Sequence, residues 1–437
     1  MQTLKSLAIG LGFALACPIL PACPEHSRAL LNDAKAPPDL LLALQAVRPA
    51  QPGQNRLEPE RGTARLRVKP EECFLHPNLR SETEIPCLAP LAAAYHALPH
   101  KTVKIETIRD GKPARVAVHQ IGRGGHERVL VCVHGVMSDH DAFRFVVGAL
   151  AGEYDFWLVD LPGCGESDAP DPALLGPGGY SPSALADRVL QAVAGCLEQT
   201  PTPVRPTLVG HSLGGMVCLR AFADPDLRAR RADVLRRING LVLIAPCDVV
   251  IHQAPPAFVQ VIALNGATVS VGAALGVVNE LMAKASLLGT SDPCCLPRED
   301  VDKPVWMLRD PAQRHALQAM LRAAAPFREK DRLPLWGEMK RLEAWYQNVD
   351  VPVRIIWGEC DQTLSVAMGY KLAKQLPRAT LTVLPDSMHS PNLECPAVCA
   401  RVLREAEVAL RDGSRNVAGP ENRAGLKETQ AGRRTDS

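Results

Sequence analysis

The stretch Gly210-His211-Ser212-Leu213-Gly214-Gly215 stands between the apolar run Thr207 to Val209 and a helical pattern from Leu213 to Phe222. An apolar strand running into a helix through a turn rich in glycine is a nucleophile elbow. A serine hydroxyl attacks poorly unless it stands clear of the sheet, reaches a base, and has N–H groups nearby to receive an oxyanion. Without side chains at Gly210 and Gly214, the chain can turn sharply while Ser212 takes a strained conformation. The N–H of Leu213 then lies at a helix N-terminus, where the peptide dipoles favour negative charge.

Other continuous apolar runs flank this one: Val129 to Val133, Phe156 to Val159, Leu241 to Ile244, Val353 to Trp357 and Thr380 to Leu384. Such runs suit strands buried on both faces of a parallel sheet. Before them, Thr102 to Ile108 and Arg115 to Ile121 read as strands around the turn Asp110-Gly111-Lys112-Pro113. Helical patterns alternate with the later strands: one opened by Ser181-Pro182 and reaching about Glu198, another over Val366 to Gln375, and a third over Pro396 to Leu410. The order predicts an α/β fold with a doubly wound, mostly parallel sheet. Cys247 to about Trp345 breaks the rhythm with helical segments and Pro/Gly turns, and reads as an inserted helical cap.

With these elements in place, the chain resembles the α/β-hydrolase fold family over roughly residues 101 to 411. His134-Gly135-Val136 closes a strand as the family's His-Gly oxyanion motif does, with Phe143 where an aromatic often follows. Asp160-Leu161-Pro162-Gly163-Cys164-Gly165-Glu166-Ser167 is similar to the family's turn after the next strand. Trp357-Gly358-Glu359-Cys360-Asp361 and Pro385-Asp386-Ser387-Met388-His389 follow the last two strands, where the family keeps its acid and its histidine. The resemblance implies a triad of Ser212, His389 and Asp361, with the Val136 and Leu213 amides as oxyanion donors. The chain order Ser, Asp, His fits the fold. Asp248, just past the strand Leu241 to Ile244, is the alternative acid. Glu359 reads as a structural carboxylate, and His211 as a pocket-wall or packing residue rather than a second base.

The expected activity is that of a serine hydrolase, a carboxylesterase or lipase-like enzyme acting on a small-molecule ester. Alternatives on the same triad are a carbon–carbon bond hydrolase, an amidase and a haloperoxidase-like enzyme. A non-catalytic ligand-binding protein of the same fold is the alternative of another class. A serine at the elbow argues against the dehalogenases and epoxide hydrolases of this fold, which use an aspartate there. From Ala254 to Asn279 the cap carries no charge, which suits lid helices over an apolar pocket and so an apolar acyl or alcohol group in the substrate.

Composition narrows the classes further. The chain has 437 residues, 46% hydrophobic and 22% charged, enough for a large core and against overall disorder. Lys plus Arg number 49 against 47 Asp plus Glu, too balanced to attract phosphates, so no nucleic-acid partner is expected. A dinucleotide fingerprint at Gly163 and Gly165 would need a third glycine where Asp168 stands, so no cofactor is expected. No cysteine pairs at two-residue spacing accompany histidines, so no metal is expected either. No protein partner is expected.

Lys5 followed by the charge-free apolar run Leu7 to Ala16 has the order of a secretory signal and implies export. Cys17 or Cys23 resembles a bacterial lipoprotein acceptor, and lipidation there would bring association with a membrane surface. Export would let some of the 14 cysteines pair, with Cys73–Cys87 and bridges from Cys294 or Cys295 as candidates. Cys132 and Cys218 read as buried small hydrophobes. The arginines between Arg228 and Arg237 read as a solvated helix face. The expected organisation is a signal over 1–23, an irregular extension over 24–100, hydrolase core over 101–246, helical cap over 247–345, core again over 346–411, and a disordered tail over 412–437.

Overall fold

Eight strands form one sheet in the order β1-β2-β4-β3-β5-β6-β7-β8 in a computed structural model of the chain. The structure describes residues 79–201, 203–248, 290, 296–324, 326–328 and 334–415. The strands are β1 (His100–Arg109), β2 (Lys112–Ile121), β3 (Val129–Val133), β4 (Asp155–Val159), β5 (Thr207–His211), β6 (Leu241–Ile244), β7 (Val353–Gly358) and β8 (Ala379–Leu384). β1 and β2 pair antiparallel, β2 joins β4 antiparallel, and every pairing from β4 to β8 is parallel.

The parallel core explains its own composition. Successive strand side chains point to opposite faces. Val129, Val131 and Val133 of β3 enter one apolar cluster, and Leu130 and Cys132 enter the other. Leu241 and Leu243 of β6 likewise separate from Val242 and Ile244. Both faces must therefore be apolar, and a strand with no polar alternation results. The first face is covered by the helices Pro182–Gln199 and Leu213–Ala223, the second by Arg144–Ala149 and Pro396–Arg415.

Several boundaries differ from the sequence reading. The β1–β2 turn is only Asp110-Gly111, both at positive φ (52° and 72°), and Lys112 and Pro113 already belong to β2. A two-residue turn with both residues at positive φ matches the right-handed twist of its strands, so no longer loop is needed. The extension expected to be irregular up to residue 100 instead holds the helix Ala89–His96, opened by Pro90, and β1 begins at His100. That helix packs so closely on Arg144–Ala149 that a Cβ on Gly148 would lie 2.0 Å from the Leu91 carbonyl oxygen. The last helix continues past Leu410 to Arg415, into the segment expected to be a disordered tail.

Between β6 and β7 the described residues form the helices Arg298–Arg309, Pro311–Ala323 and Trp336–Ala344. Gly163, at φ 86° in the turn after β4, lets this insertion approach: a Cβ there would meet the Ala316 Cβ at 2.3 Å. Charge pins it elsewhere. Buried Arg144 binds Glu82 at 2.5 Å and Asp300 at 2.7 Å, and Lys303 reaches Asp139 and Asp141. Asp139 and Asp141 belong to the segment that follows β3, so the insertion is tied to the edge of the candidate site.

The secretory and lipoprotein readings, Cys73, Cys294, Cys295 and the apolar stretch Ala254 to Asn279 lie outside the described residues. Cys132, Cys164, Cys196, Cys218, Cys247 and Cys399 are buried thiols without a disulfide. The arginines are paired in part: Arg228 binds Asp350, and Arg230 and Arg231 bind Asp187, which is fully buried. No helix among the described residues is long and apolar enough to cross a membrane.

Candidate active site

The strand order reverses between β3 and β5, and open α/β sheets hold their sites in the crevice outside the strand ends at such a point. Ser212 leaves β5 there with φ 51° and ψ −116°, a conformation costly for any residue with a Cβ. The surrounding glycines make it attainable. A Cβ on Gly210 would lie 2.4 Å from the Gly214 carbonyl oxygen, and one on Gly214 would lie 2.1 Å from that of Val133. The Ser212 N–H donates to the Ile244 carbonyl at 2.9 Å, and the Ser212 carbonyl accepts from Cys247 at 2.9 Å and from Met216 at 3.1 Å. Its backbone is held by three bonds, at the sharpest point of the turn.

His389 meets the Ser212 hydroxyl. Its Nε2 is 3.1 Å from Ser212 Oγ, and its Nδ1 is 2.8 Å from Asp361 Oδ2. The other carboxylate oxygen of Asp361 accepts the N–H groups of Thr363 at 2.8 Å and Leu364 at 2.9 Å, so the acid is fixed by its own turn. The turns after β7 and β8 are knitted together. The Cys360 N–H donates to the Ser387 carbonyl, and a Cβ on Gly358 would collide with the Met388 carbonyl oxygen at 2.0 Å. Burial opposes the charged form of His389, yet the charge of Asp361 and its hydrogen bond, with the nearby Glu394, raise its pKa overall. An imidazole held this way can accept the Ser212 proton and later return it.

Asp248 is engaged elsewhere. It is fully buried, binds Arg220 Nη2 at 2.6 Å and accepts the Tyr346 hydroxyl. Leu213 opens the helix behind Ser212, so its N–H is one of that helix's first-turn donors, which have no partner within the helix. Val136 follows β3, ahead of Met137 at φ 56°. Phe143 is fully buried.

Three further residues near the site tie its loops together. His211 is buried, its pKa pushed down to about 3 by burial and by the charge of His389, and its Nε2 donates to the His389 carbonyl at 3.0 Å. His134 is fully buried; it donates from Nδ1 to the Gly135 carbonyl at 2.7 Å and accepts the Leu161 N–H at Nε2 at 3.0 Å, joining the turns after β3 and β4. Glu394 accepts the N–H groups on both sides of His389, from Met388 at 3.0 Å and Ser390 at 2.8 Å. A carboxylate shortly after the histidine, in Pro391-Asn392-Leu393-Glu394, is the one sequence signal that points to it.

Known proteins resemble this chain in sequence and in fold. YugF of Bacillus subtilis, an uncharacterized hydrolase, is 26% identical over 263 residues, 60% of this chain and 83% of its own. Human monoacylglycerol lipase ABHD6 is 26% identical over 313 residues, 68% of this chain and 80% of its own. Among solved structures, the haloalkane dehalogenase DatA of Agrobacterium tumefaciens C58 superposes with a TM-score of 0.54 at 18% identity, covering 73% of this chain and 99% of its own, a likeness of fold. The sequence profile described as Alpha/beta hydrolase family matches residues 130–402, the span from β3 into the helix that follows His389, and the chain therefore belongs to the α/β-hydrolase family.

Proposed function

We propose that the protein is a serine hydrolase that cleaves carboxylic esters with an apolar acyl or alcohol group through an acyl-enzyme. The observation that carries this reading is His389 standing between Ser212 Oγ at 3.1 Å and Asp361 Oδ2 at 2.8 Å. Ser212 Oγ attacks the ester carbonyl as His389 Nε2 takes its proton. Negative charge develops on the carbonyl oxygen, and the N–H groups of Leu213 and Val136 receive it; one such donor is worth roughly 3 kcal/mol of barrier. His389 then protonates the departing alcohol, and the acyl group remains on Ser212. Water enters, gives its proton to His389 and attacks the acyl carbon; His389 then passes that proton to Ser212 Oγ as the acyl–oxygen bond breaks, releasing the acid and restoring Ser212. Throughout, Asp361 holds the proton-bearing Nδ1 in place and stabilises the imidazolium.

The apolar preference rests on the helices between β6 and β7, read as a cap, and on the charge-free run Ala254 to Asn279 within the same insertion. The name of the relative ABHD6, a monoacylglycerol lipase, is in keeping with it. A fluorophosphonate should label the folded protein at Ser212 and leave Ser212→Ala unlabelled; absence of labelling on folded wild-type protein would refute the serine chemistry. A panel of esters graded in acyl length, with amides and diketones included, then tests the ester and apolar parts of the reading.

A further inference from the structure

We propose that His119, His140 and Asp160 form a binding site for a divalent transition-metal ion of the zinc class, distinct from Ser212 and its partners. The three residues come from three segments: His119 from β2, His140 from the first position of the 3-10 turn His140–Phe143, and Asp160 from the position directly after β4. One ligand atom from each lies within 4.8 Å of the others. His119 Nε2 is 2.9 Å from Asp160 Oδ2, and His140 Nδ1 is 3.0 Å from Asp160 Oδ1. Two imidazoles and one carboxylate are a donor set suited to zinc, and three protein ligands leave a fourth position to water.

The surroundings are arranged as metal-binding histidines require. Each ring's remote nitrogen has a polar neighbour: Thr102 Oγ1 lies 3.1 Å from His119 Nδ1, within hydrogen-bond reach, and Asp141 Oδ1 lies 3.5 Å from His140 Nε2. Asp160 is oriented by the N–H groups of His140 and Glu166, each at 2.8 Å. Gly165 makes room for it, since a Cβ there would lie 2.2 Å from Asp160 Oδ2. His119 and Asp160 are buried, while the His140 side chain keeps 15% exposure and gives an ion a way in.

Charge supplies the second argument. The two rings stack with centroids 3.4 Å apart and planes 14° apart, both bonded to one carboxylate. Two imidazolium ions in that geometry would repel each other at close range, across the one carboxylate to which both are bonded. One divalent ion shared by two neutral rings and Asp160 puts the positive charge against the carboxylate and leaves the stack uncharged. On binding, the proton of His119 resides on Nδ1 towards Thr102, and that of His140 on Nε2 towards Asp141. The freed Nε2 and Nδ1 lone pairs go to the ion, and any proton beyond one per ring leaves to solvent. The rings splay to reach a common point, with His140 on its partly exposed turn moving most.

The test uses the full chain stripped with a chelator and titrated with zinc chloride by calorimetry, with magnesium and calcium as controls. Wild-type protein should bind zinc in preference to the other two, with a rise in Tm. His140→Ala should bind one equivalent fewer, a loss that His126→Ala should not show. Thr102→Val, which removes only the outer partner of His119, should weaken that equivalent by roughly 10-fold to 100-fold. Circular dichroism checks that each variant is folded, and His140→Gln serves if His140→Ala is not. The proposal fails if wild-type protein takes up no zinc, or if folded His140 variants bind as much and as tightly as wild type. It fails equally if the cobalt(II) form shows thiolate charge-transfer bands that His140→Ala leaves unchanged, since the ion would then sit on cysteines.

Discussion

Glu394 brackets His389, its two carboxylate oxygens accepting the backbone N–H groups immediately before and after the histidine. It therefore holds the loop in position and adds a second negative charge near the imidazole, beyond that of Asp361. Glu394→Gln should lower the pKa of His389 and move the acidic limb of kcat/KM to lower pH. The amide oxygen can replace one acceptor, but the amide nitrogen opposes the other N–H, which should cost about 1–3 kcal/mol of stability. A pH–rate profile with urea denaturation checks both effects, and an unmoved acidic limb would show that the carboxylate acts only as a structural staple.

The acid is tested by comparing two aspartates. Asp361→Asn should leave the fold intact and reduce kcat by roughly ten-thousandfold, because the amide would favour the wrong imidazole tautomer. Asp248→Asn should do the reverse. Arg220 is buried with 2% exposure against Asp248, and removing its counter-charge should cost about 3–5 kcal/mol of stability. The folded fraction should keep its turnover. Loss of turnover in folded Asp248→Asn, with Asp361→Asn active, would reassign the acid.

The base proposed at His389 must be neutral to act, and Asp361 and Glu394 hold its pKa above the usual imidazole value against the effect of burial. Activity should therefore rise with pH along a limb whose midpoint lies above about 6.5. His211 stays neutral across that range, so the limb should follow one proton. His211→Ala removes the donor to the His389 carbonyl and should lower kcat with little change in KM. His211→Gln, whose amide N–H can replace that donor, should recover part of the loss.

Two glycines should respond oppositely to alanine. At Gly214 a Cβ would meet the Val133 and His134 carbonyl oxygens at 2.1 and 2.4 Å, and backbone does not move aside cheaply. Gly214→Ala should destabilise by at least about 1–3 kcal/mol. At Gly337, in the helix Trp336–Ala344, nothing among the described residues lies within 4 Å of the added Cβ. Gly337→Ala should stabilise by about 0.4–1 kcal/mol through the unfolded chain. Urea midpoints of the two variants decide the matter, and equal midpoints would contradict it.

The sheet is legible in the sequence because burial on both faces leaves little choice of residue: the runs Val129 to Val133 and Leu241 to Ile244 coincide with β3 and β6. Ser212, Asp361 and His389 are legible as candidates because each stands past the end of such a run in a distinctive local setting. Glu394 is not, because its bonds go to backbone N–H groups, which every residue but proline carries. The helix Ala89–His96 escapes because it rests on tertiary contact: Leu91 packs over Gly148, a neighbour no local pattern reveals. His119, His140 and Asp160 escape because three separate segments bring them together, and no spacing along the chain encodes that.

The strand order has a consequence for the timing of synthesis. Ser212 and His389 meet across 177 positions of sequence, and Asp361 and His389 stand after the last two strands to be added, β7 and β8. A ribosome therefore delivers the serine, its strained turn and its flanking helix long before it delivers the imidazole. Because folding proceeds from the N-terminus as the chain emerges, a nascent chain that has made only the first part of the sheet carries Ser212 without His389 beside it. The chemistry proposed for Ser212 must wait until β8 has docked at the edge, so completion of the sheet is itself the step that arms the protein.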